Sequence, residues 1–251
     1  MKLIKPTRRS LILAAPAILL ASRVDAFWQS RDSNYNISVA AGGGGSASYT
    51  AIYGDGQDIA YGSSTYTSPS QTWTAGYAVV FISTSVALTG VTIKGVSATK
   101  YTSASKTGLE AWYALITAGA GTVVATAGVA FPNVCSAGGV VTSTSSSPSA
   151  GSIFTNSAHS DPQTFTAATV PSGGIGIAYI AVPNIAATGL PTIWSGATRD
   201  AVTESSVATG NTQVAASAHT ISAGSFNPTV SGSGPGFGYQ GAIASIVTWG
   251  P

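Results

Sequence analysis

A continuous apolar run bounded by glycine and serine marks the clearest strand in the chain. The segment QTWTAGYAVVFIS (71–83) begins with alternating polar and aromatic residues, turns at Ala75–Gly76 and continues as an apolar run from Tyr77 to Ile82. Such a run, rich in valine, isoleucine and aromatic residues, is typical of a strand buried on both faces. We therefore predict a short strand, a turn and a buried strand.

The same pattern returns later in the chain as QTFTAATVPSGGIGIAYIAV (163–182). The segments that follow the two copies are also similar, TIKGVSATK (92–100) and TIWSGATRD (192–200). The polar, low-complexity stretch VVTSTSSSPSAG (140–151) reads as a surface loop between them. We predict an all-β fold, an antiparallel β-sandwich of jelly-roll type, with two related halves at 71–139 and 152–251. A tyrosine- and glycine-rich segment, 27–70, precedes this sandwich.

The segment LEAWYALI (109–116) has eight residues, and its position between a glycine and a turn favours a strand over a helix. Alternation places Trp112 on the same face as Glu110, which directs the indole outward. An outward indole can stack on a sugar ring or pack against a partner chain, and ordinary packing is the remaining alternative. Trp112 and its neighbour Tyr113 are therefore the candidates for a ligand or interface contact.

The composition indicates a packed protein with little surface charge. The chain has 251 residues, of which 44% are hydrophobic and only 7% charged, against a usual charged fraction of about 25%. Disorder requires the opposite balance. Its 30 glycines and 12 prolines suit the turns between many short strands.

The N-terminus has the pattern of an export signal. Basic residues that include Arg8 and Arg9 precede an apolar run, LILAAPAILLA (11–21), and a small-residue site ends at Ala26. The apolar run is shorter than the roughly twenty residues that span a bilayer, so no stable membrane span is expected. The stretch TRRSLI (7–12) is similar to the twin-arginine signal of bacteria. The alternative is an apolar N-terminal arm, 1–26, that the mature protein keeps.

The leader also accounts for the basic character of the chain. Residues 1–26 carry five bases and one acid, a net charge of +4, so the rest of a chain that totals +2 carries −2. The remaining sequence has no basic patch, and we predict no nucleic-acid partner.

The supply of catalytic and metal-binding groups is small. The sequence has two histidines and one cysteine, which excludes an intrachain disulfide and a thiolate zinc site. The adjacent residues His159, Ser160 and Asp161 are read as a polar turn, since catalytic triads assemble in space and not along the sequence. Asp55 and Asp58 have the spacing of some calcium loops but lack the further acidic ligands, so a plain turn is the alternative there. We predict a protein that is not an enzyme and has no cofactor.

The run from Thr89 to Gly128 resembles a β-sandwich module in virion proteins of phages and prophages of alphaproteobacteria. In those modules a strand of the pattern V-T-x-x-G-V-x-A-T precedes a strand G-L-E-A-W-Y, and here the corresponding letters are VTIKGVSAT (91–99) and GLEAWY (108–113). The leader is similar to N-termini found on some of these proteins. The resemblance implies a structural or tail-associated role and carries no catalytic signature.

These observations lead to two functional hypotheses. The first is a non-enzymatic structural or binding protein of a phage-like virion, in the tail, a fibre or the capsid surface, with copies of itself or other virion proteins as partners. The alternative is an extracellular or cell-surface β-sandwich module, exported by the twin-arginine route, that binds a surface glycan. The leader distinguishes them, since a virion protein needs no export and a secreted module does.

Overall fold

The computed structural model describes residues 46–57, 63–155, 161–182, 191–206, 212–232 and 242–251, all within one unit that spans 35–251. Every strand pairing among them is antiparallel, and the only helical element in these ranges is a short 3₁₀ turn at Thr102–Ala104. The prediction of an all-β, antiparallel fold is confirmed.

The strands of the N-terminal half (48–142) are β1 (Ser48–Gln57), β2 (Thr65–Thr67), β3 (Gln71–Trp73), β4 (Gly76–Ser83), β5 (Leu88–Ile93), β6 (Val96–Ser97), β7 (Thr99–Lys100), β8 (Leu109–Ile116), β9 (Gly119–Gly121), β10 (Val123–Ala127) and β11 (Val134–Thr142). They form a five-stranded sheet in the order β1-β11-β4-β8-β7, a four-stranded sheet β2-β10-β5-β6 and the pair β3-β9.

The strands of the C-terminal half (150–249) are β12 (Ala150–Thr155), β13 (Gln163–Thr164), β14 (Ala168–Val170), β15 (Ile175–Val182), β16 (Pro191–Ser195), β17 (Thr198–Ser206), β18 (Thr212–Thr220), β19 (Gly224–Phe226), β20 (Thr229–Gly232) and β21 (Ile243–Trp249). They form a second five-stranded sheet in the order β12-β21-β15-β18-β17, a three-stranded sheet β13-β20-β16 and the pair β14-β19.

The strand order is the same in the two halves. When β1 is matched with β12, β4 with β15, β8 with β18 and β11 with β21, each sheet of one half has a counterpart in the other. The apolar runs of the sequence repeat, β4 and β15, occupy the same central position. The similar letters QTWT and QTFT do not, because Gln71 begins β3 whereas Gln163 begins β13, the counterpart of β2.

The fold begins before the boundary expected at residue 70. Strand β1 pairs along its length with β11, and β2 pairs with β10. Tyr49, Tyr53 and Tyr66 are buried. The tyrosine-rich sequence from residue 48 onward therefore supplies core side chains, Tyr53 and Tyr66 to the core of the N-terminal half and Tyr49 to the cluster shared with the C-terminal half.

Three apolar clusters hold the sheets together. One lies between the five- and four-stranded sheets of the N-terminal half, and another lies within the C-terminal half. The third joins the two halves, since it combines side chains of β4, β8 and β11 with side chains of β15, β18 and β21. At its centre the rings of Phe81 and Tyr179 stack with centroids 5.3 Å apart and an interplanar angle of 4°. The two five-stranded sheets therefore face each other and are buried on both sides, as the continuous apolar runs predict.

Gly139 lies in the middle of β11, and adding a side chain there tests how closely β1 packs against β11. A Cβ atom at this position would clash with the Thr50 carbonyl oxygen and lie 2.6 Å from the Tyr49 ring. We expect Gly139→Ala to lower the free energy of unfolding by about 2 kcal/mol, because neither the strand backbone nor a buried ring can move away. Denaturant unfolding measures this. The matched control is Gly128→Ala, where an added Cβ meets no atom within 4 Å; an equal loss in both variants would contradict the packing.

Candidate functional site

A buried carboxylate organises the first polar cluster. Glu110 on β8 is 2% exposed, and its Oε1 lies 2.8 Å from Nζ of Lys100 on β7. The indole Nε1 of Trp112 donates a hydrogen bond to Oε2 at 3.0 Å, and the Lys100 ammonium lies 5.9 Å from the centre of the same indole. The backbone N–H of Leu88 also points at Oε1, at 3.4 Å. The cluster links β5, β7 and β8, so its evident role is to fix these strands.

The outward direction inferred for Trp112 is therefore wrong. Alternation correctly placed Trp112 and Glu110 on one face, but that face turns inward, and Trp112 is only 7% exposed within the N-terminal core. The inference failed because Glu110 itself is buried with a counter-charge. Of the alternatives considered, ordinary packing describes this indole, which is too enclosed to stack on a sugar.

Tyr113 lies on the opposite face of β8, toward the C-terminal half. It is half-buried, and its ring packs edge-on against Tyr101 at 6.5 Å and against Trp249 at 5.5 Å. Trp249 belongs to β21, so Tyr113 contributes to an interface, but to the one between the halves of the same chain.

Asp55 on β1 belongs to a second polar cluster. The Tyr66 hydroxyl donates to its Oδ2 at 2.8 Å, and nearby the hydroxyls of Tyr53 and Ser136 share a hydrogen bond of 2.6 Å. Burial raises the pKa of both tyrosines, so they stay protonated as donors. Asp58 lies outside the described residues, and the described part of the chain contains no group of three or more acidic, histidine or cysteine side chains suited to a metal.

The third polar cluster is a histidine–aspartate pair at the contact between the halves. Nδ1 of His219 on β18 lies 2.6 Å from Oδ1 of Asp200 on β17. Their side chains are 7% and 3% exposed. The ring of Tyr49, from β1 of the other half, packs on the imidazole with centroids 5.4 Å apart. The pair therefore lies beneath a side chain of the opposite half and is closed to solvent.

The charge states at this pair follow from its burial. Desolvation raises the pKa of the Asp200 carboxyl, and the hydrogen bond and charge of His219 act in the opposite direction. Burial is also the main cause that raises the pKa of Tyr49, to which the Asp200 charge adds. The Oδ2 atom of Asp200 is buried and has no hydrogen-bond partner among the described residues.

Sequence reasoning did not find this pair. The two residues lie on different strands, and only the antiparallel register of β17 and β18 brings them together. The one available signal was the repeat itself, because Asp200 ends the segment TIWSGATRD, which is similar to the segment TIKGVSATK of the first copy. The motif that did stand out, His159-Ser160-Asp161, falls largely outside the described residues, as do Arg8, Arg9 and Ala26 of the leader.

Most described cations also bind within the fold. Nζ of Lys94, a residue with φ of 53° at the turn after β5, donates to the carbonyls of Thr117 and Ala118 at 2.9 Å each. Nζ of Lys106 donates to the Thr155 hydroxyl at 3.0 Å and so connects the two halves. In these contacts the ammonium groups donate to neutral protein oxygens and so tie neighbouring segments together.

The exposed large apolar side chains come from five different segments of the chain. Among the described residues they are Val96, Leu115, Val129, Ile193 and Ile221. Single exposed apolar residues are normal on soluble domains and mark no site by themselves. No helix in the described ranges has the length and apolar character needed to span a membrane.

Comparison of the chain with family models, with curated proteins and with solved structures gives no match.

Proposed function

We propose that this protein is a non-enzymatic structural or binding component of a phage-like virion, in the tail, a fibre or the capsid surface. The observation that carries the proposal is the packing of two similarly ordered five-stranded sheets face to face through one apolar cluster. Such packing joins the halves into one block, and several of its ionisable groups bind neighbouring strands. A block with few free charges suits repeated assembly, because copies repel one another weakly.

The strand order supports a jelly roll in each half. When the short strands β3, β7 and β9 are set aside, one sheet of the N-terminal half runs β1-β11-β4-β8 and the other β2-β10-β5-β6. This order agrees with two interleaved Greek keys, and the C-terminal half has a similar order with one strand fewer in its smaller sheet. We infer that the halves are two copies of one ancestral unit. Jelly rolls serve as capsid domains and as lectins, which agrees with both the virion role and the alternative.

The alternative, an exported glycan-binding module, is favoured by one observation, the signal-like leader at 1–26. It requires a solvent-facing ligand site, and Trp112, the residue that suggested one, is buried. The virion role does not depend on that residue, so it is the better supported of the two.

The test is to locate the native protein. Phage-like particles purified from the native bacterium are compared with its periplasm and culture medium by quantitative mass spectrometry, and the N-terminal peptide is recorded. We expect enrichment in the particles together with other particle proteins. A cytoplasmic protein of similar abundance, followed through the same gradient, controls for carry-over. Recovery only in the periplasm or medium, with a peptide that begins at Phe27, would overturn the proposal in favour of export.

A further inference from the structure

The two ends of the contact between the five-stranded sheets differ in their side chains, since one end has two aromatic rings and the other has two ionisable groups. In the pairing of β7 with β8, Thr99 lies opposite Tyr113. In the corresponding pairing of β17 with β18, Thr198 lies opposite His219. Tyr113 and His219 therefore occupy the same register position in the two halves. Tyr101 lies two residues after Thr99, and Asp200 lies two residues after Thr198 at the register shift of β17, so these residues correspond in the same way.

In the N-terminal half this position holds two aromatic rings. Tyr101 and Tyr113 pack edge to face at an interplanar angle of 80°. Contacts of this kind do not change their charge over the physiological pH range, because phenols ionise only near pH 10. The ring contact at that end therefore does not depend on protonation in this range.

In the C-terminal half the same position holds two ionisable groups. His219 and Asp200 share one short hydrogen bond, and the surrounding described residues offer the buried carboxylate no second donor. The titratable groups on the packed elements are Tyr49, Tyr53 and Asp55 on β1, Cys135 on β11 and Tyr179 on β15, none of which is a cation. The neighbouring Arg199 is exposed, and its guanidinium is directed at the Thr192 carbonyl.

The net charge buried at this end therefore depends on one proton. A carboxylate beside a neutral imidazole carries a net negative charge, whereas one additional proton on either group makes the pair neutral overall. Burial in a medium of low polarity favours the neutral pair. The charged pair is tolerated best when the sheets separate and water reaches it.

We propose that the Asp200–His219 pair is a proton-dependent latch between the two halves, fastened when the pair holds its additional proton and loosened when that proton leaves. The contact that it controls is the one between β17–β18 of the C-terminal half and β1 of the N-terminal half, where Tyr49 covers the imidazole. The aromatic end at Tyr101 and Tyr113 stays closed, so the halves hinge apart at one end only.

The sign of the effect agrees with the direction of the carboxyl titration. Because burial raises the pKa of Asp200, the folded protein keeps this proton to a higher pH than the open form does. The stabilisation is fully present at pH values where the open form also holds the proton, and it is lost as the pH rises through the value at which the closed pair releases it. The latch therefore tightens in acid and loosens toward alkaline pH.

Hydrogen exchange of the full chain at several pH values tests the latch. Exchange rates are corrected for the intrinsic pH dependence of amide exchange, and two peptides are compared, one over β1 (Ser48–Gln57) and one over β8 (Leu109–Ile116). Between about pH 5 and 9 we expect opening of the β1 peptide to increase with pH. The total increase should be about tenfold for each unit by which the pKa of the pair is higher in the closed form than in the open form. Opening of the β8 peptide should change little.

Two variants make the test specific. Asp200→Asn keeps an oxygen that accepts the imidazole N–H but cannot ionise, so the increase of β1 opening toward alkaline pH should disappear. His219→Gln retains a donor to Asp200 and removes the basic partner, so opening of β1 should be increased at neutral pH and reversed only in acid. Tyr113→Phe, at the corresponding aromatic position, is the matched control and should retain the wild-type pH dependence.

The proposal is overturned if β1 of the wild-type protein opens equally at all pH values in this range. It is also overturned if Asp200→Asn retains the wild-type dependence, because the titrating group would then lie elsewhere. If Asp200→Asn does not fold, the His219→Gln profile decides the question, and an unshifted profile in that variant contradicts the latch.

Discussion

Replacing Phe81 with alanine is expected to lower the free energy of unfolding by about 3–5 kcal/mol. Phe81 is 1% exposed on β4, in the cluster that joins the two halves. Its ring lies parallel to that of Tyr179 from β15, so the substitution removes a buried ring and leaves a cavity between two rigid sheets. Sheets that are held on both faces cannot collapse into such a cavity, which places the loss at the upper end for a core residue.

Denaturant unfolding of Phe81→Ala, Tyr179→Ala and the double variant measures both the loss of free energy of unfolding and the coupling energy between the two rings. We expect the two rings to be coupled by about 0.5–1.5 kcal/mol beyond their separate burial. The control is Leu115→Ala on β8, because that side chain is 60% exposed and its loss should stay within about 0.5 kcal/mol. If the Phe81 and Tyr179 losses are simply additive, the stacked contact between the halves does not contribute to stability.

The strands that the sequence predicted most reliably are those buried on both faces. Tyr77 to Ile82 and the matching run before Val182 contain almost no polar residue, because each lies at the centre of a sheet with a core on either side. A short apolar run of this kind has few alternatives in a chain so poor in charge. The segment 109–116 was likewise predicted as a strand from its length and its flanking turns.

What the sequence did not determine is which face of a strand points inward. Alternation groups Trp112 with Glu110 but does not say that Lys100, on a neighbouring strand, supplies a charge that lets both be buried. The same limit applies to Asp200 and His219, which meet only through strand register. A charged residue on a strand usually indicates a face exposed to solvent, but Glu110 and Asp200 are buried beside a basic partner.

The apolar runs of the sequence repeat occupy the same central position in their sheets, whereas the letters at its start lie in strands that do not correspond. The letters QTWT and QTFT are alike because alternating polar and aromatic residues suit any half-buried strand. Yet Trp73 pairs within β3-β9, whereas Phe165 follows β13 in a different sheet. Local composition therefore identified strands well, but pairing between distant segments determined which strands correspond.

Glu110→Ala is expected to lower the free energy of unfolding by about 3 kcal/mol. The substitution removes an acceptor that Trp112 Nε1 and the Leu88 backbone N–H both approach. Those donors would remain buried without a partner, which costs more than the loss of an exposed ion pair. The ammonium of Lys100 is less affected, since its side chain is 34% exposed and can turn to water.

The comparison with Glu110→Gln separates the hydrogen bonds of this carboxylate from its charge. The glutamine amide oxygen can still accept from the indole, so we expect a loss of only about 1 kcal/mol, which reflects the missing charge beside a partly exposed lysine. Lys106→Met is the matched control, because that exposed ammonium bonds only the Thr155 hydroxyl in the described structure and its removal should cost less than about 0.5 kcal/mol. Equal losses for Glu110→Ala and Glu110→Gln would mean that charge, and not the buried donors, makes this residue necessary.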